Sequence, residues 1–215
     1  MQKKGMCSMK KTNSWRLQDV LLIAMLGLIF SLVYMAVFQL GLIVQAALTP
    51  VGLGVFGFEI IYGIWFMAGV LAAMIIQKPG VAFAAELLAS IIELLLGNAG
   101  GTLVVITGVI QGLGTEVAYL LLRYRKWGLG AGILAALTTT LFTVGQSLYL
   151  NGYASLSGGI ILAMIVVRVV SAVVFAAFVC WLLARLLAKT GVLRSYPLGA
   201  AYRPRAVSGD DDKLL

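Results

Sequence analysis

Six apolar runs, each near the length of a membrane-crossing helix, follow one another along this chain: about 17–40, 58–77, 80–97, 102–123, 128–150 and 158–188. A helix of about 20 apolar residues satisfies its own backbone inside hydrocarbon, so the runs predict an all-α membrane protein, a bundle of six transmembrane helices. Composition closes the alternative. With 61% hydrophobic and 11% charged residues among 215, too little polar surface is left to face water around a soluble domain of this size. The first run, from about Val20 to Leu40, is too long for the apolar core of a cleaved signal and reads as the first span. Residues 41–57, GLIVQAALTPVGLGVFG, are rich in glycine and read as an apolar external loop, with a re-entrant path open to it, not as a further span.

The basic residues orient the bundle. Lys3, Lys4, Lys10, Lys11 and Arg16 precede the first run; Lys78 lies between the second and third; Arg123, Arg125 and Lys126 lie between the fourth and fifth. Arg185, Lys189, Arg194, Arg203 and Arg205 close or follow the sixth, whereas the links 41–57, 98–101 and 151–157 hold no Lys or Arg. This alternation predicts that both termini are cytoplasmic. It divides the chain into a cytoplasmic arm 1–16, a membrane domain 17–189, and a polar tail 190–215 expected to be disordered and cytoplasmic. The net charge of +8 therefore marks membrane orientation, not a nucleic-acid surface. Histidine is absent, and Cys7 and Cys180 lie too far apart in the topology to pair, so neither a metal nor a disulfide is expected.

Ionisable residues inside the apolar runs are few, and each is a candidate for function or for pairing: Glu59, Glu86, Glu93, Glu116 and Arg168. The excess of acid over base suits a polar, cationic small molecule. Depth counted at about 1.5 Å per residue brings Glu59, Glu93, Gln146 and the loop residues Asn98, Asn151 and Tyr153 to one level in the outer half. Glu86, Ser90, Glu93 and Gly97 form one stripe of the third helix, beside the small residues Ala82, Ala85 and Ala89. Glu59 shares a face with Tyr62 and Phe66, with Trp65 at its border, and aromatic rings beside a carboxylate suit a flat cation. The candidate substrate-binding set is Glu59, Tyr62, Trp65, Glu86, Glu93, Asn98, Gln111 and Gln146. Glu86 has a structural alternative, because Arg168 is expected deeper in the bundle, paired with Glu86 or Glu116. Gly108 and Gly112 read as helix-packing residues. The small residues Ala24, Gly27 and Ser31 form a stripe on the first helix that could dock another helix. No phosphate-binding glycine loop, nucleophile–base pair or clear inverted repeat is present, so the chain is expected to be neither an enzyme nor an ATPase and to need no cofactor.

Four segments, WRLQDVLLIAMLGLIFSLVY, EIIYGIWFMAGVLAAMIIQKPG, AAELLASIIELLLGN and GVIQGLGTEVAYLLLRYRKW, resemble the membrane-embedded substrate-binding (S) component of energy-coupling factor (ECF) ABC transporters. The branch they resemble is that of thiamin and its hydroxymethylpyrimidine (HMP) precursor, over about 15–189. The resemblance implies six helices, high-affinity binding of the vitamin in the outer half, and a prokaryotic plasma membrane. It also implies work with a transmembrane coupling protein and two ATPase subunits. Members carry an A-x-x-x-A-like stripe on the first helix that meets the coupling protein; here Ala24 is followed by Leu28, and Gly27 and Ser31 supply the small residues. The competing reading is an autonomous ion-coupled secondary transporter of a small cationic molecule, with Glu86, Glu116 and Arg168 as its relay.

Overall fold

The computed structural model describes residues 14–202, and Cys7, the basic arm before Ser14 and the acidic run Asp210–Asp212 lie outside them. The first apolar run becomes one 32-residue helix, α1 (Leu17–Leu48). It starts where Asp19 turns back to accept the Arg16 N–H at 2.7 Å, and it stops at Thr49-Pro50, where a 3-10 turn and left-handed Gly52 redirect the chain. Residues 41–48, expected as loop, are therefore helix: nothing before Pro50 removes a backbone donor.

The second run does not form one helix. It breaks into α2 (Phe56–Glu59), a 3-10 turn Tyr62–Phe66, and α3 (Met67–Ile76). After left-handed Gly80 come α4 (Val81–Leu95), α5 (Leu103–Leu121) and α6 (Leu129–Leu150). The last run is α7 (Gly158–Ala172), a π-helical stretch Val173–Val179, and α8 (Cys180–Lys189). Among the described residues, four helices are long and apolar enough to cross a membrane: Leu17–Val51, Leu103–Leu121, Leu129–Leu150 and Gly158–Lys189. The other two expected spans are the shorter pieces Tyr62–Ile76 and Val81–Leu95.

All ten residues of α3 are buried, so α3 is the post around which the other helices pack. Small residues let them approach. Ala82, Ala85 and Ala89 of α4 are buried, and a Cβ on Gly27 of α1 would stand 3.2 Å from Leu88 Cγ. A Cβ on Gly108 of α5 would strike the Ser90 side chain at 2.1 Å. Gly27 and Ser31 therefore face α4 inside the bundle, whereas Ala24 is exposed. The expected docking stripe is corrected accordingly: two of its three residues are spent on packing within this chain. The exposed side of α1, with Leu21, Met25, Leu28 and Leu32, is apolar as a lipid-facing surface must be.

One end of the bundle is tied shut. Lys78 Nζ meets Asp19 at 2.5 Å, Trp15 Nε1 donates to the Pro79 carbonyl at 3.2 Å, and the Tyr196 hydroxyl donates to the Gln18 carbonyl at 2.7 Å. Residues 190–202, expected as loose tail, fold onto this end: Leu193 is buried, and α9 (Pro197–Ala200) packs against α3 and α8. The apolar residues Leu193 and Leu198 within a polar stretch account for it.

Candidate ligand-binding site

The break in the second run frees backbone N–H groups in mid-bundle, and side chains from three other helices take them up. Gly63 N–H donates to Ser171 Oγ at 3.0 Å, Ala68 N–H to the Tyr34 hydroxyl oxygen at 3.0 Å, and Gly69 N–H to Glu86 Oε2 at 2.6 Å. The Tyr34 hydroxyl in turn donates to Glu86 Oε1 at 2.9 Å. Tyr34 and Glu86 thus cap the restarted helix α3, where a carboxylate also meets the positive end of the helix dipole. A Cβ on Gly69 would lie 2.9 Å from the Ala82 carbonyl, so the close approach requires glycine there.

The break turns Tyr62 and Trp65 into a cavity of about 310 Å³, within the range of small-molecule sites. The cavity opens at the end of the bundle formed by the C-terminal part of α1, the turn after α4 and the α6–α7 link: Leu42, Gln45, Gly100, Asn151 and Tyr153 all line it. Its walls are aromatic. Phe38, Phe58, Trp65 and Tyr62 follow one another with ring centroids 5.6, 6.2 and 6.0 Å apart, and Tyr34 lies 6.5 Å from Trp65. Ser90, Thr107 and Gln111 supply polar groups deeper in.

Two carboxylates line this space, and they differ. Glu59 is gripped by Arg168, whose Nε donates at 2.6 Å and Nη2 at 2.5 Å; Nη2 also donates to Ser147 Oγ at 3.0 Å. The Tyr62 ring lies 3.9 Å from the guanidinium carbon. Glu93 has no ion pair among the described residues: its partner is the neutral Asn98 amide, Nδ2 to Oε1 at 2.6 Å. Asn98 also accepts from Gly100 N–H at 2.7 Å, which fixes the turn at the rim.

Of the residues singled out in the sequence, Glu59, Tyr62, Trp65, Glu93 and Gln111 line the cavity together. Asn98 stands one bond behind, on Glu93. Gln146 also stands one bond behind, donating to Thr107 Oγ1 at 2.5 Å while its Oε1 has no partner. Glu86 is not in the wall; Tyr34 stands between. The expected pairing of Arg168 is corrected: it holds Glu59, not Glu86 or Glu116, and it lines the cavity. Glu116 accepts from Gly80 N–H at 2.6 Å and from Phe83 N–H at 3.3 Å, capping the start of α4. Glu86, Glu116 and Arg168 are thus committed to separate partners and form no relay. Tyr34, Phe38, Gln45, Phe58 and Thr107 are lining residues that sequence reasoning passed over. Tyr34, Phe38 and Gln45 share one face of α1 once that helix is known to continue past residue 40.

Comparison with known proteins agrees with this architecture. The profile of a family described as ABC-type cobalt transport system, permease component, matches residues 18–142. A Bacillus subtilis (strain 168) protein named HMP/thiamine permease protein YkoE is 33% identical over 187 residues, covering 87% of this chain and 92% of that one. A solved structure described as an S-component of an ECF transporter superposes with a TM-score of 0.83 at 33% identity, over 87% of this chain and 93% of that one. The chain belongs to the S-component family of ECF transporters, in the HMP/thiamine branch. It is an integral membrane protein and a transport component.

Proposed function

We propose that this S component binds thiamin or its hydroxymethylpyrimidine precursor in the aromatic cavity and delivers it with a transmembrane coupling protein and two ATPase subunits. The observation that carries the reading is the pairing of acidic and basic side chains in the wall. Glu59 is neutralised by Arg168, so Glu93 is the carboxylate left to meet a cation, with the Trp65 and Tyr34 rings nearby. Thiamin brings a fixed positive thiazolium and an aminopyrimidine whose N–H groups suit carboxylate and amide oxygens. The name of the Bacillus subtilis relative points to the same ligand class. Cobalt, in the family's description, has no matching donor set here: the chain lacks histidine, and no three acidic or cysteine side chains gather among the described residues.

Six segments cross the prokaryotic plasma membrane in this reading, with both termini cytoplasmic and the cavity in the outer half. Support comes from the charges. Arg16, Lys78, Arg123, Arg125, Lys126 and Lys189 all lie at helix ends away from the cavity, and the positive-inside rule makes that end cytoplasmic. The test is thermal stabilisation of the purified chain by a panel of vitamins. Thiamin or HMP should raise the melting temperature progressively with concentration, following RT ln(1 + [L]/Kd), while vitamins without an aminopyrimidine ring leave it in place. A shift with a vitamin lacking that ring and none with either pyrimidine would reject the assignment.

A further inference from the structure

Among the described residues, three acidic or basic side chains line the cavity: Glu59, Glu93 and Arg168. The only cation among them is already matched, because two Arg168 nitrogens hold the Glu59 carboxylate and one of them also holds Ser147. The Tyr62 ring covers the guanidinium at 3.9 Å. Nη1 alone has no partner. One such donor suits a single neutral oxygen; it leaves no positive charge to balance an anion. Every other Lys or Arg among the described residues sits before α1, in the α3–α4 and α5–α6 links, or from Arg185 onward, at helix ends away from the cavity.

A phosphate monoester would carry about −1.5 to −2 charge into this space at pH 7. It would face the Glu93 carboxylate across an apolar, aromatic interior, where repulsion between like charges is far stronger than in water, and would find the Glu59–Arg168 pair with no net positive charge to offer. We propose that the site takes its ligand as the free alcohol and rejects the phosphate monoester, and that the Glu59–Arg168 pair, by occupying the cavity's one cation, sets this selectivity. The proposal rests on the vitamin reading above: thiamin and HMP each carry a primary hydroxyl that can be free or phosphorylated. Glu59 and Arg168 are then specificity-determining residues, and Glu93 adds repulsion to the same end.

The test is equilibrium titration of the purified full chain with thiamin and with thiamin monophosphate, read by calorimetry. In the wild type the monophosphate should bind on the order of 10²-fold more weakly or worse, the scale of like-charge juxtaposition in a site. Glu59→Gln, which frees the guanidinium, should narrow that ratio by about tenfold or more. Asn151→Lys, which places a new cation at the exposed rim, should narrow it as well and does not depend on the buried pair surviving mutation. Equal affinity for the two forms in the wild type overturns the selectivity and leaves the vitamin assignment standing. A ratio unmoved in a Glu59→Gln protein that still binds thiamin overturns the role of the committed cation, and a ratio unmoved in Asn151→Lys overturns charge as the basis of the selectivity. Absence of binding by both forms, and by HMP titrated beside them, overturns the vitamin assignment itself.

Discussion

Arg168 and Glu59 lie 109 positions apart in sequence, both essentially fully buried, and they are the residues whose partnership the sequence did not disclose. Depth counting assumes unbroken helices at about 1.5 Å per residue. Here α1 runs eight residues beyond the expected end before the chain turns back through Pro50 and Gly52, so Glu59 returns to the bundle lower than its place in the run implies. Glu86 then satisfies itself on Tyr34 and Gly69 and needs no cation. Replacing one partner of a buried pair leaves the other charged and unmatched, at about 3–5 kcal/mol in soluble proteins. Arg168→Met should therefore destabilise the bundle strongly, and adding Glu59→Met should recover much of the loss. Thermal unfolding of the single and double variants reads this; a double variant no better than the single would deny the coupling. Glu93, by contrast, was legible as a candidate from its stripe, because α4 is regular along its whole length and keeps Glu86, Ser90 and Glu93 on one side.

Among the elements, the regular ones were legible and the interrupted ones were not. Helices α5 and α6 fall within two residues of the expected runs, because Gly101, Gly128 and the basic links punctuate them. The interruption at Tyr62–Phe66 carries no proline, and Gly63 is a weak signal inside an apolar run, so little local announces it. Its stability comes from Ser171, Tyr34 and Glu86 on distant helices, which replace the hydrogen bonds a straight helix would have kept. The π-helical stretch Val173–Val179 is equally silent in a run of Val, Ala and Phe. Glu116 shows the same borrowing at the start of α4. Glu116→Ala should strip the acceptor from Gly80 and Phe83 and cost about 0.5–2 kcal/mol, the range for losing a helix cap. A chemical or thermal melt of that variant indistinguishable from wild type would show that the carboxylate adds nothing at α4.

At the scale of the whole molecule, the two ends differ in kind. One is locked by the Asp19–Lys78 pair, Trp15 and the folded residues 190–202, and the basic residues gather there. The other carries the cavity, glycine-rich turns and no Lys or Arg among the described residues. A closed basic end and an open aromatic end suit the proposed role, capture of a small cation from one side by a subunit that relies on others for energy. Length, composition and charge alternation were enough to read this polarity. The internal wiring was not readable, because it depends on contacts between residues far apart in sequence. In the proposed function the aromatic cavity holds a cationic vitamin against Glu93. Calorimetric titration of thiamin into the purified chain, wild type beside Glu93→Gln, measures that contact. Loss of a charge-assisted contact predicts binding weaker by about 1–3 kcal/mol in the variant, with unchanged stoichiometry and fold. An identical Kd in the two proteins would contradict it.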